Sequence, residues 1–160
     1  MPALVLAAQR QGFAQPTPVQ AQVVPAILQG QDVLATSATG SGKTAAYVLP
    51  LVQRLASSAP SPGKRPLRAL VLVPTRELAT QVSDLWHDLG RDLPTPLKVV
   101  TLFGGVSINP QMMRLRGGAD VVVATPGRLL DVVAHNALSL AQLQVLVLDE
   151  ADRLLEEGFA

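Results

Sequence analysis

The chain has 160 residues, 48% of them hydrophobic and 16% charged, with no cysteine and a net charge of +1. That length supports one domain with a real core, and a charged share below the usual value of about 25% excludes a disordered polyelectrolyte. The near-neutral balance excludes a uniformly basic nucleic-acid binder, while the lack of cysteine excludes disulfides and thiolate metal sites and fits a reducing, cytoplasmic setting. The charge is nevertheless uneven: residues 1–76 hold seven Lys/Arg and one Asp, net +6, and residues 77–160 hold six Lys/Arg and eleven Asp/Glu, net −5. Local anion and cation sites are therefore permitted. The opening stretch MPALVLAAQR is apolar but short and has no basic leader, so a signal peptide is not expected. No apolar run approaches the roughly 18 residues of a membrane span.

In chain order, a helix is predicted from Pro18 to Gln29, ended by Gly30 and kinked or split at Pro25. A strand at Val33–Ala35 and a helix at Lys43–Ala56 follow. The Ser/Pro/Gly-rich residues 57–66 read as an exposed loop inside the domain. Then come strand Ala69–Val73, helix Arg76–Leu89, strand Lys98–Leu102, a helix near Pro110–Arg116, strand Asp120–Ala124, helix Gly127–Ala134 and strand Val145–Leu148. The strands are nearly continuous apolar runs, as expected when both faces are covered. Strands alternating with helices predict an α/β fold, a parallel sheet of about five strands flanked by helices. Ligands of such sheets bind beyond the carboxyl ends of the strands, and the short motifs from residue 37 onward each follow a predicted strand.

Residues 37–44, SATGSGKT, stand between the first predicted strand and its helix. Gly42, Lys43 and Thr44 match the end of the phosphate-loop pattern, with Ser37 where its first Gly would be. Small residues at Gly40, Ser41 and Gly42, with Thr39 before them, let backbone N–H groups turn toward phosphate oxygens, and the helix start adds positive potential. Lys43 can reach the β- and γ-phosphates, and the Thr44 hydroxyl can bind Mg²⁺. At the other end of the chain, VLVLDEAD runs four apolar residues into Asp149, Glu150 and Asp152. Taken alone, these acids would cap a following short helix. Beside a phosphate loop they read differently: Asp149 as the carboxylate that holds Mg²⁺, and Glu150 as the group that orients or deprotonates the attacking water. His87 and His135 read as solvated, and Trp86, Met112 and Met113 as packing residues.

Asp149-Glu150-Ala151-Asp152, with the stretches around it, resembles the DEAD-box ATP-dependent RNA helicases from about Gly12 to Phe159. The resemblance implies a RecA-like phosphate-loop domain with ATP and Mg²⁺ as cofactors. GFAQPTPVQ, residues 12–20, is similar to the family's Q motif, which implies that Phe13 and Gln20 face the nucleotide. An amide suits adenine, which presents a donor beside an acceptor where guanine presents two acceptors. PTRELA, residues 74–79, the pair Gly104-Gly105 and TPGR, residues 125–128, resemble the family's RNA-backbone motifs. This implies RNA contacts by Pro74, Thr75, Arg76, Gly104, Gly105, Thr125, Pro126, Gly127 and Arg128. Thr75 and Thr125 also fit N-cap positions and Pro126 a first helical position, so helix capping and phosphate binding are compatible readings.

The resemblance further implies that the chain is an incomplete first domain, residues 1–160 with the Q-motif region at 12–20, lacking the family's Ser-Ala-Thr strand and its second RecA-like domain. The expectation is that it binds nucleotide without unwinding RNA, is less stable than a chain extended through the next strand, and leaves Leu154, Leu155 and Phe159 short of packing partners. Two alternatives remain at this level: a non-catalytic nucleotide- or RNA-binding module, and another phosphate-loop ATPase or a DNA helicase.

Overall fold

The computed structural model describes residues 2–38, 40–58 and 63–156. They hold helices α1 (Pro2–Arg10), α2 (Pro18–Leu28) and α3 (Lys43–Ser57), then strand β1 (Ala69–Leu72), helix α4 (Arg76–Gly90), strand β2 (Val99–Leu102) and helix α5 (Asn109–Arg114). Strand β3 (Val121–Ala124), helix α6 (Pro126–Ala134), strand β4 (Val145–Leu148) and helix α7 (Ala151–Glu156) complete the order. No described helix is long and apolar enough to cross a membrane. The chain divides into two units, one of residues 1–59 with 85–96 and one of residues 60–84 with 97–160.

The second unit is built on a parallel sheet in the order β2-β3-β1-β4. The register is level: Leu72 pairs with Ala124 and with Leu148, and Leu102 pairs with Ala124. All four strands therefore finish together, and the residues that follow them emerge along one edge. Leu70, Val100, Leu102, Val122 and Ala124 form one core with Leu129 and Val132 of α6, Leu115 and Leu138. Ala69, Val71, Val121 and Val123, which alternate with these, are buried too. Covering both faces is why β1 and β3 read as unbroken apolar runs; each buried Val or Leu contributes roughly 1.5–3 kcal/mol. β4 is an edge strand, with Leu146 54% and Leu148 52% exposed.

A charged staple closes the opposite, amino-terminal end of this sheet. Asp120, fully buried, accepts the Lys98 N–H (2.8 Å) and Arg68 Nη2 (2.8 Å) and pairs with Arg65. One carboxylate thus ties the starts of β1, β2 and β3. Burial pushes that carboxyl up, but the Lys98 N–H and the two guanidiniums outweigh it and hold it below its ordinary value.

The first unit is helical. α2 opens with a capping box: Gln20 N–H donates to Thr17 Oγ1 (3.4 Å), and Thr17 N–H donates to Gln20 Oε1 (3.0 Å). It closes on Gly30 at φ +78°, with Gly30 N–H on Ile27 O and Gln31 N–H on Ala26 O, the bond pair of a Schellman end. Arg54 of α3 donates to Ile27 O (2.9 Å), giving a carbonyl at that end a second donor. Arg10 at the end of α1 pairs with Asp92, and Gln11 donates to Asp88 (3.0 Å).

Several expectations are corrected. The sheet has four described strands, not about five, because Val33–Ala35 is irregular and Leu34 is 95% exposed. A strand is held by its ladder partners more than by its own preference, and this stretch pairs with none of the described strands. α2 is not split at Pro25, which lies inside it near its end. α1 was not anticipated, and Met113 is exposed, not packed. Trp86 is buried, and His87 and His135 are exposed, as expected. Residues 59–62 of the expected loop, Thr39 and Phe159 lie outside the described residues.

Candidate functional site

In the first unit the site residues gather at the start of α3, a helix of 15 residues. Gly40 and Gly42 both adopt left-handed backbone, φ +78° and +88°. Gly42 is the N-cap of α3 and supplies no side-chain cap, so the N–H groups of the first turn have no partner from that residue. Ser41 N–H donates to Ala38 O (3.3 Å), and the Ser37 and Ser41 hydroxyls share a hydrogen bond of 2.6 Å, which closes the loop on itself. Lys43 Nζ donates to the carbonyls of Ser37 and Ala38, so the ammonium lies across the loop. Thr44, one residue on, is half-buried.

Gln20 reaches this loop from α2, with Nε2 donating to Gly42 O at 3.2 Å. Only 5% exposed, it caps its own helix and anchors the phosphate loop with one amide. Oε1 retains a second lone pair and Nε2 a second hydrogen. Phe13 is half-buried, its N–H donating to Ala8 O (3.0 Å).

In the second unit the level strand ends place four groups along one edge. After β1, Pro74 is buried and Thr75 Oγ1 accepts the Leu78 N–H (3.2 Å), capping α4 as predicted. Arg76 is exposed, its guanidinium 5.1 Å from the centroid of the Phe103 ring. After β2, Gly104 and Gly105 are exposed, Gly105 at φ +79°. After β3, Thr125 takes N-cap geometry and Pro126 the first turn of α6, but the Thr125 hydroxyl makes no cap bond. Gly127 is exposed. Arg128 is only 8% exposed, and its Nη2 donates to Val106 O (2.7 Å), so it acts on the loop that carries the glycine pair.

After β4, Asp149 is buried and its Oδ1 accepts the Glu150 N–H (3.0 Å). Glu150 stands at φ +51°, left-handed backbone that costs a side-chain-bearing residue roughly 1–2 kcal/mol. Its carbonyl accepts from Arg153 and Leu154, starting α7, and its carboxylate pairs with Arg153 (3.0 Å). Backbone strain of this kind concentrates at functional positions. Glu150→Gly should therefore be more stable than Glu150→Ala by about 1 kcal/mol, since both lose the ion pair and only Ala keeps the strain. Equal urea midpoints for the two variants would show that the turn is unstrained.

Gln111 and Asp120 were not singled out by sequence reasoning. A lone Gln in a short helix and an Asp at a strand start have no local pattern to mark them.

The DEAD/DEAH box helicase family model matches residues 17–160. The ATP-dependent RNA helicase dbp-10 of Neurospora crassa is 45% identical over 157 residues, which is 98% of this chain and 16% of that protein. The probable ATP-dependent RNA helicase DDX59 of Mus musculus is 44% identical over 94% of this chain and 23% of its own length. The chain thus spans less than a quarter of these relatives. Among solved structures, the yeast DEAD-box splicing factor Prp28 superposes with a TM-score of 0.89 at 35% identity, over 98% of this chain and 38% of the other. A hypothetical ATP-dependent RNA helicase from Sulfolobus tokodaii gives 0.85 at 38% identity, over 98% and 43%. A RecA-like parallel sheet, a phosphate loop and Asp-Glu-Ala-Asp at a strand end, matched by the family model along nearly the whole chain, make this chain a member of the DEAD/DEAH box helicase family.

Proposed function

We propose that this chain is the partial first RecA-like domain, residues 1–160, of an ATP-dependent RNA helicase, in which RNA-stimulated ATP hydrolysis drives local separation of RNA strands. The observation that carries the reading is the start of α3: Gly42 in left-handed backbone gives no side-chain cap, beside Lys43 and Thr44. Phosphate oxygens would take the first-turn N–H groups and draw Lys43 Nζ from the Ser37 and Ala38 carbonyls. The spare donor and acceptor of Gln20 would read the adenine edge, with Phe13 close to the base.

The Thr44 hydroxyl and the Asp149 carboxylate are each oxygen donors of the kind Mg²⁺ takes and would be its protein ligands, since this ion keeps waters and phosphate oxygens as its other ligands and needs no all-protein cage. When bound it would neutralise charge on the phosphates. Glu150 would hold the attacking water and accept its proton. Arg76, Thr75 and Pro74, the Gly104-Gly105 loop, and Thr125, Pro126 and Gly127 would grip RNA phosphate and sugar, with Arg128 holding the glycine loop. Contacts of that kind give little sequence preference and strong salt dependence. A second RecA-like domain would complete both sites in the whole protein, which we place in the cytoplasm.

The test is titration of fluorescent ADP and GDP with Mg²⁺. ADP should bind tighter than GDP, Lys43→Ala should abolish ADP binding, and Gln20→Ala should erase the preference for adenine. A folded chain that binds neither nucleotide would overturn the reading.

A further inference from the structure

We infer that Gln111, which none of the motifs above includes, is the positioning residue of the RNA grip; the inference rests on the RNA reading just given. Gln111 lies in the first turn of α5 and is 5% exposed. Its Oε1 accepts the Phe103 N–H and its Nε2 donates to Phe103 O, both at 3.1 Å. The side-chain amide therefore serves Phe103 as a neighbouring strand would, one residue beyond the end of β2. Phe103 in turn has two tasks. Its backbone leads directly into Gly104-Gly105, and its ring lies beneath the Arg76 guanidinium at 5.1 Å.

The other end of the same loop is held by Arg128 on Val106 O. Between these two anchors stand only two glycines, both exposed and with the widest backbone freedom of any residue. Without the anchor at Phe103 the loop would sample many conformations, and its N–H groups would have to be ordered when RNA binds. Arg76 would lose its aromatic platform in the same event. The required chemistry is specific to an amide of this length. Glu can accept from Phe103 N–H but not donate to its carbonyl, Leu does neither, and Asn is one methylene short.

The experiment compares the unaltered chain with Gln111→Glu, Gln111→Leu, Arg76→Ala and each double variant. RNA binding is read by anisotropy of a fluorescent single-stranded oligouridine at low salt, and ADP binding is read alongside. Gln111→Leu should weaken RNA by about tenfold, the order expected for one or two lost hydrogen bonds, with Gln111→Glu smaller. ADP affinity should stay within about twofold in both, which reports intact folding. The decisive readout is coupling: Arg76→Ala should cost much less RNA affinity in the Gln111→Leu background than in the unaltered chain. A residue that merely supports the fold would give additive losses, and additivity, or unchanged RNA affinity in both Gln111 variants, would overturn the inference. If Gln111→Leu proves unfolded, Gln111→Glu carries the same cycle. An unaltered chain that binds ADP but no RNA would overturn the RNA reading itself and the purpose given to Gln111 with it.

Discussion

Asp120→Ala should destabilise the chain by about 3–5 kcal/mol, because it strips the counter-charge from a buried ion pair. Arg68 is 6% exposed and would keep its charge with its buried carboxylate partner gone. The half-buried Lys98 N–H would lose its acceptor as well. The same group sets an acid limb on stability. Its folded pKa is held below the ordinary value by the Lys98 N–H, Arg68 and Arg65, against burial acting the other way. The sign follows: a carboxyl with a depressed folded pKa adds stability that is complete above its unfolded value, about 3.9, and that disappears as pH falls through the folded one. Urea unfolding of the parent should thus lose stability below about pH 4. Asp120→Asn should remove this group's share of that slope. An Asp120→Asn variant with parental stability at neutral pH would show that the staple does not hold the sheet.

Gly42→Ala should weaken ADP binding by roughly 30-fold or more, from at least about 2 kcal/mol lost in two parts. The first is backbone: at φ +88° a side chain costs roughly 1–2 kcal/mol. The second is contact. A Cβ at Gly42 would lie 2.5 Å from Gln20 Nε2 and 3.4 Å from Thr17 Oγ1. The amide cannot swing clear without giving up Gly42 O and disturbing its capping box, each bond worth about 1 kcal/mol. Gly40→Ala is the internal control. Gly40 has a similar φ, +78°, but a Cβ there meets nothing within 4 Å. It should therefore show only the backbone part. In a Gln20→Ala background the excess of Gly42→Ala over Gly40→Ala should vanish. Equal effects of the two glycine substitutions in the parent would mean that Gln20 does not brace the loop.

These two sites mark different depths of legibility. The phosphate loop was readable because its chemistry is local: glycines that must turn, a lysine and a threonine opening a helix. The role of Gln20 was half-readable. Its place after Pro16 and Pro18 announces a helix start, but its bond to Gly42 O joins residues 22 apart in the chain, and no local rule reaches that far.

Length and apolar periodicity determined the α/β class and most helix bounds to within a residue or two, because those features arise from backbone preference and the burial of contiguous runs, while the motifs came from their own residue patterns and the family resemblance. Strand order, the level register that lines up Thr75, Gly104, Thr125 and Asp149, and the absence of a strand at Val33–Ala35 came only with the tertiary structure, since a strand exists by virtue of the neighbour it pairs with. The same holds for Asp120, Gln111 and Arg128. Each is a polar residue whose work is fixed by a backbone group or charge that is distant in the chain and brought near only by folding.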